Sequence, residues 1–186
     1  KRVLTHAGYN VHHVQNFTDI DDKIIARANK NNEHVNELTK RFIDAYFDDM
    51  KQLNILPATE YPKATECIPQ MQTLIHSLIE KGSAYERDGT VYFKVDSCQD
   101  YGKLSKKDVT ELQSGARVHV EEQKDSPLDF VLWKPSKEGE PQWDSAWGAG
   151  RPGWHTECVA MVESILGPHI DIHGGGADLQ FPHHEN

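Results

Sequence analysis

Long apolar runs are absent from this 186-residue sequence. None approaches the ~20 residues that a membrane-spanning helix requires, and the mean hydropathy is −0.67. No positively charged segment leads into an apolar stretch at the start, so no export signal is expected. Cysteine is scarce: Cys67, Cys98 and Cys158 are too few and too scattered for a disulfide framework, and a reducing, cytoplasmic setting is expected. Basic residues are also in deficit, 20 against 29 acidic, for a net charge of −9. That balance argues against a domain that grips nucleic acid by bulk charge alone. The length suits one moderate domain or part of a larger one.

What is present is unevenly distributed. All four tryptophans (Trp133, Trp143, Trp147, Trp154) lie within 22 residues, and eight of 13 glycines and five of 11 histidines follow residue 138. Glycine and proline alone would suit a turn-rich surface. Solvated loops have no physical need for tryptophan and histidine, so a wet cleft lined by aromatics is the sharper reading.

The apolar periodicity alternates in kind. Lys1 to Ala7 reads as helix stopped by Gly8, and Val11 to Val14 as a short strand. Thr18 with Asp21 forms a capping-box pattern before a helix faced by Ile20, Ile24, Ile25 and Ala28. Val35, Leu38, Phe42, Tyr46, Met50 and Leu53 keep helical spacing, and a further helix is expected over 65–80. Asp88-Gly89 between two short apolar runs signals a hairpin. Ser105 with Asp108 suggests a short helix ending before Gly115, residues 116–120 look extended, and 121–127 read as a loop. Residues 84–127 thus have the character of a small insertion. Beyond it come a strand at 130–133, a helix at about 155–166, a strand at 170–172, the Gly174-Gly175-Gly176 loop, and a helix opened by Pro182. Strand and helix alternate at both ends, which favours an α/β fold with a parallel sheet.

Two side chains stand out chemically. Zinc accepts cysteine sulfur and histidine nitrogen, so Cys158, one turn into its helix, and His183, opening another, are candidate ligands. The alternative is a small buried hydrophobe and a histidine without a metal. The triple glycine lets backbone approach a ligand closely, or it is a tight turn. No Gly-Lys-Ser/Thr follows, so it is not a P-loop. Asp178 could receive an amine cation or serve as a turn former. The carboxylates of Asn16 to Lys23 suit helix capping, while Thr18, at a strand end, could reach into a crevice where loops converge.

Four motifs carry a resemblance along the whole chain: NFTDIDDKIIARA (16–28), FVLWK (130–134), WGAGRPGWHTEC (147–158) and DIHGGGADLQFPHHEN (171–186). In these the sequence resembles the cysteinyl-tRNA synthetase family. The resemblance implies an α/β, Rossmann-like class I synthetase catalytic domain, incomplete here, with a small α+β insertion. Residues 1–83 would be part of that domain and its following helices, 84–127 a connective-peptide-like insertion, and 128–186 the second part, bearing a zinc and cysteine site.

The implied chemistry is attack of cysteine on the α-phosphate of ATP, with Mg²⁺, to give cysteinyl-adenylate, then transfer to tRNA(Cys). Zinc would hold the substrate thiolate. Serine offers no such sulfur bond, so discrimination needs no editing. By motif position Cys158 and His183 would be metal ligands. Thr18, Trp154 and Asp178 would shape the cysteine pocket, and His155 and His184 would be active-site histidines.

The family's other two ligands, a cysteine before its H-I-G-H motif and a glutamate four residues after the histidine, have no counterpart in these residues. Neither H-I-G-H nor K-M-S-K-S is present. Lys103 to Lys107 belongs instead to a Tyr-Gly-x-Leu-Ser pattern at 101–105. An internal piece of the catalytic domain is therefore expected, inactive alone in ATP–pyrophosphate exchange, with monomer favoured. Two alternatives stand beside this reading: a cysteine ligase of mycothiol biosynthesis acting on an amino-sugar, and a non-catalytic remnant that binds zinc or a partner.

Overall fold

The computed structural model describes residues 1–107 and 124–186. The chain divides into two compact units, Lys1–Cys67 and Ile68–Asn186. The elements expected between residues 108 and 123 lie outside the described residues.

In the first unit, helix α1 spans Arg2–His6, α2 Asp22–Asn31 and α3 Val35–Gln52. Helix α2 begins later than the Thr18–Asp21 pattern suggests. Asp21 is its N-cap, accepting from the Ile24 N–H at 2.6 Å. Such a cap satisfies one of the donors that a helix start leaves open. The Asp19 carboxylate goes elsewhere: it is buried and accepts from Thr65 through the backbone N–H (2.9 Å) and the hydroxyl (2.6 Å). Asn32, in the left-handed region at φ 52°, ends α2.

Ile20, Ile25, Ala28 and Leu38 form the buried contact beneath α2 and α3. The apolar stripe expected along α3 is covered only in part: Leu38 is buried, whereas Phe42 is 47% and Leu53 66% exposed. Phe17, Tyr46, Phe47 and Tyr61 make a second cluster of edge-on and stacked rings with centroids 4.9–6.4 Å apart. The strand expected at 11–14 reduces to isolated parallel bridges, Val14 to Glu60 and Phe17 to Lys63.

The second unit is built on a four-stranded sheet in the order β1 (Ala84–Arg87), β2 (Thr90–Phe93), β3 (Phe130–Pro135), β4 (Gly150–Pro152). Every neighbouring pair is antiparallel. This corrects the expected parallel sheet: among the described residues parallel pairing occurs only at the two isolated bridges. For β1 and β2 the reason is local, since two strands joined by a two-residue turn can only run antiparallel. That turn is Asp88-Gly89, with φ of 50° and 82°, the pair of left-handed residues a type I′ hairpin requires. The hairpin strands of 84–93 share one sheet with β3 and β4 at 130–152.

Helix α4 runs Ile68–Glu80 after a separate 3₁₀ turn at Ala64–Glu66, and buries Ile68, Met71 and Ile75. Helix α5, Trp154–Leu166, packs on β3 and α4. Trp133 and Val91 are fully buried between these layers. Asp129 holds the sheet's edge: its carboxylate accepts from the Tyr85 hydroxyl (2.7 Å), Val95 N–H (2.9 Å) and Ser126 N–H (3.1 Å).

Two further expectations fail. Residues 170–172 form no strand; Ile170 is 39% and Ile172 70% exposed, and among the described residues no strand edge pairs with them. The helix expected from Pro182 is one kinked turn, Gln180–His184, interrupted at Phe181 (φ −134°, ψ 134°).

Candidate metal and amino-acid site

Glycine places α5 against the sheet. Gly153 is the helix N-cap, and a Cβ there would stand 2.0 Å from the Val131 carbonyl oxygen. At Gly150 a Cβ would meet the Lys134 oxygen at 2.4 Å and the Trp133 indole nitrogen at 2.6 Å. The Gly153 N–H (2.8 Å) and the buried Thr156 hydroxyl (2.9 Å) both donate to the Leu132 carbonyl. Beside them Arg151, 5% exposed at its side chain, pairs with Glu140 at 3.0 Å.

This close seating fixes one face of the first turns of α5. Trp154, His155 and Cys158 stand at i, i+1 and i+4, so Trp154 and Cys158 share that face. His183 comes to it from the turn at 180–184. Its ring stacks on Trp154 at 4.2 Å and 15°, its Nδ1 lies 3.1 Å from His155 Nδ1, and its Nε2 lies 3.8 Å from Cys158 Sγ. His155 also sits edge-on to Phe130 at 5.3 Å. Burial, reinforced by the neighbouring His183, pushes His155 down to about 4. Burial lowers His183 too, with His184 and His173 adding to it. A neutral His155 can accept a proton-bearing Nδ1 of His183, which leaves the His183 Nε2 lone pair directed toward Cys158.

His184 meets His183 (5.6 Å) and His173 (5.2 Å) edge-on. Its ring occupies the space a Cβ on Gly175 would need, at 2.1 Å. Close backbone approach, open between two readings from sequence, is thus made to a histidine ring of the chain itself. Asp178 is exposed in the 3₁₀ turn Ala177–Leu179, its carboxylate lying over Gly176.

Thr18 belongs to the first unit. It lines a half-open pocket of about 300 Å³ with Phe17, Lys23, Ile24, Arg27 and Leu38 among the other walls. Of the sequence-derived site residues, then, Trp154, His155, Cys158, His183 and His184 converge in one cluster, while Asp178 sits on the loop leading into it.

A metal fits the two donors present. A tetrahedral zinc about 2.3 Å from sulfur and about 2.0–2.1 Å from nitrogen separates those donors by about 3.6 Å, close to the 3.8 Å found. The hydrogen-bonded second nitrogen of His183 is also the arrangement that orients a metal-bound imidazole. Among the described residues no group of three or more His, Cys, Asp or Glu side chains forms a complete site.

One participant escaped the sequence reading. Glu185 accepts from the Gly102 N–H (2.8 Å) and Ser105 N–H (2.6 Å), and Tyr101 bonds to Asn186. Burial works against the Glu185 charge, but the donors of Ser105, Gly102 and Leu104 outweigh it and hold the carboxyl below its usual range. The Tyr101 hydroxyl is pushed up to about 12 by burial and the nearby Glu185. The 101–105 pattern was visible as a motif, but nothing local indicated its partner.

A family model described as tRNA synthetases class I (C) catalytic domain matches residues 1–186. The chain belongs to that family. Among curated relatives, a cysteine–tRNA ligase of Lachnoclostridium phytofermentans is 55% identical over all 186 residues, which cover 40% of that protein. Those of Aquifex aeolicus and Francisella tularensis subsp. novicida are each 56% identical over the whole chain, covering 38% and 40% of their lengths. The chain therefore spans about 40% of the relatives it matches, and its mix of helices and sheet is that of a class I catalytic domain. No helix among the described residues is long and apolar enough to cross a membrane.

Proposed function

We propose that the whole protein is a cysteine–tRNA ligase that activates cysteine with ATP and Mg²⁺ and transfers it to tRNA(Cys), and that this chain contributes part of its amino-acid site. The observation that carries the reading is the meeting of Cys158 Sγ and His183 Nε2 at 3.8 Å from positions 25 residues apart, inside the motifs that match the family. Bound there, zinc would supply a Lewis acid that prefers a substrate thiolate to a hydroxyl, and so separates cysteine from serine.

Cys158 and His183 would be two of the ligands. His155, kept neutral by burial, stands with its Nδ1 3.1 Å from His183 Nδ1, and by accepting a hydrogen bond there it would fix the His183 tautomer that leaves Nε2 for the metal. Trp154 forms a flat wall stacked on the same imidazole. Thr18, Asp178 and His184 are assigned to the amino-acid pocket on their motif positions, with Asp178 toward the substrate ammonium.

The test is Cys158→Ala in the whole protein. Bound zinc is expected to fall and the KM for cysteine to rise by more than about tenfold, while the KM for ATP changes little. Wild-type zinc content together with an unchanged cysteine KM overturns the assignment.

A further inference from the structure

We propose that Glu185 is a positioning residue for His183, acting by clamping the histidine-bearing turn onto the 101–105 turn; the role rests on the metal reading above. On the N-terminal side the His183 turn meets residues 169–178, which are exposed, through the His184 ring against His173 and Gly175. On the other side the carboxylate of Glu185 spans two backbone donors 83 and 80 residues away, Gly102 N–H at 2.8 Å and Ser105 N–H at 2.6 Å. Hydrogen bonds to an ionised acceptor are short and roughly twice as strong as neutral ones, and a bidentate seat fixes direction as well as distance.

The neighbouring Tyr101 hydroxyl bonds to Asn186, so adjacent residues are pinned to the same turn. The Asn186 N–H closes back on the Pro182 carbonyl at 2.8 Å. His183 and Glu185 therefore lie inside one hydrogen-bonded loop of backbone, and a displacement of Glu185 is carried to the imidazole. The receiving turn is shaped for the purpose: Gly102 takes φ 92°, a conformation open to glycine at little strain, which turns its N–H toward the carboxylate. Glu185 acts through the turn that carries His183, so the effect is on where His183 stands.

The experiment compares wild type with Glu185→Gln and Glu185→Ala in the whole protein, using Zn²⁺ alone as the probe. Partners bonded directly to a metal ligand carry about 10- to 100-fold in metal affinity; Glu185 acts one step removed, through the backbone, and a weakening at the lower end of that range is expected. Without metal, the ring-nitrogen resonances of His183 are expected to shift, and the Gly102 and Ser105 amides to lose exchange protection. Glu185→Gln preserves the side chain's shape and guards against a simple folding failure.

Variants that bind zinc as wild type does and leave the His183 resonances in place overturn the positioning role while the metal reading stands. If wild type takes up no zinc, it is the metal reading that fails. The metal-free resonances then decide the clamp alone: a moved His183 ring upholds it and an unmoved ring overturns it.

Discussion

Replacing Gly153 by alanine should disturb both the fold and the site, and the size of the effect follows from the packing. The added Cβ would stand 2.0 Å from the Val131 oxygen and 2.7 Å from its carbonyl carbon, where contacts below 3.0 Å are essentially never found. Both obstacles are backbone of β3, so no side chain can swing aside; the start of α5 must withdraw by roughly 1 Å. That movement breaks the 2.8 Å bond from Gly153 N–H to Leu132 and strains the 2.9 Å bond from Thr156 to the same oxygen. A lost hydrogen bond is worth about 1 kcal/mol, and forcing extra volume into a packed contact about 1–3 kcal/mol. The expected loss is about 3 kcal/mol, or roughly 10 °C in Tm for a chain of this size.

Urea unfolding followed by tryptophan fluorescence measures it directly, since all four tryptophans lie between residues 133 and 154. Gly174→Ala, where a Cβ meets nothing within 4 Å and the backbone is not left-handed, is the control and should be nearly neutral. A Gly153→Ala protein within about 0.5 kcal/mol of wild type would refute the claim that this glycine sets the helix against the strand.

Gly175→Ala should leave stability nearly unchanged but push the His184 ring out of its place, because the obstructing atoms, 2.1 and 2.3 Å from the new Cβ, belong to a side chain that can rotate. Histidine ring resonances should report this, and unmoved His184 signals would contradict it. The Glu140–Arg151 pair should make stability acid-sensitive. Burial raises the Glu140 carboxyl, but hydrogen bonds from Arg151 and the Lys137 N–H prevail and lower it below 4.5. Its contribution is therefore complete above that pH and lost as pH falls through the depressed value. Glu140→Gln should weaken the protein by about 1–3 kcal/mol at neutral pH and flatten the acid limb of the stability–pH curve. An acid limb identical to wild type would count against the pair.

The sequence by itself determined those features whose causes lie within a few residues. Asp88-Gly89 demanded a tight hairpin because both positions need left-handed backbone, and the turn is there. A helix is expected at about 155–166 before Gly167-Pro168, and it runs Trp154–Leu166 with Gly167 as its C-cap. The motifs around Cys158 and His183 were sufficient to recognise the family.

Tertiary structure decided everything that depends on a partner far along the chain. Thr18 and Asp21 look like a capping box, yet Asp19 spends its carboxylate on Thr65, 46 residues away, and Asp21 caps the helix alone. Residues 11–14 and 170–172 have strand composition, but a strand extends only as far as a neighbour completes its hydrogen bonds; residues 11–14 find one only at the bridge of Val14 to Glu60, and composition does not say how far such pairing runs. The seat of Glu185 on the Gly102 and Ser105 amides was likewise invisible, because a backbone N–H has no letter in the sequence. Local conformation is encoded by the steric and hydrogen-bonding preferences of neighbouring residues; the meeting of the Cys158 sulfur with the His183 imidazole, and of the Glu185 carboxylate with the 101–105 amides, is fixed only when the collapsed chain selects which distant groups meet.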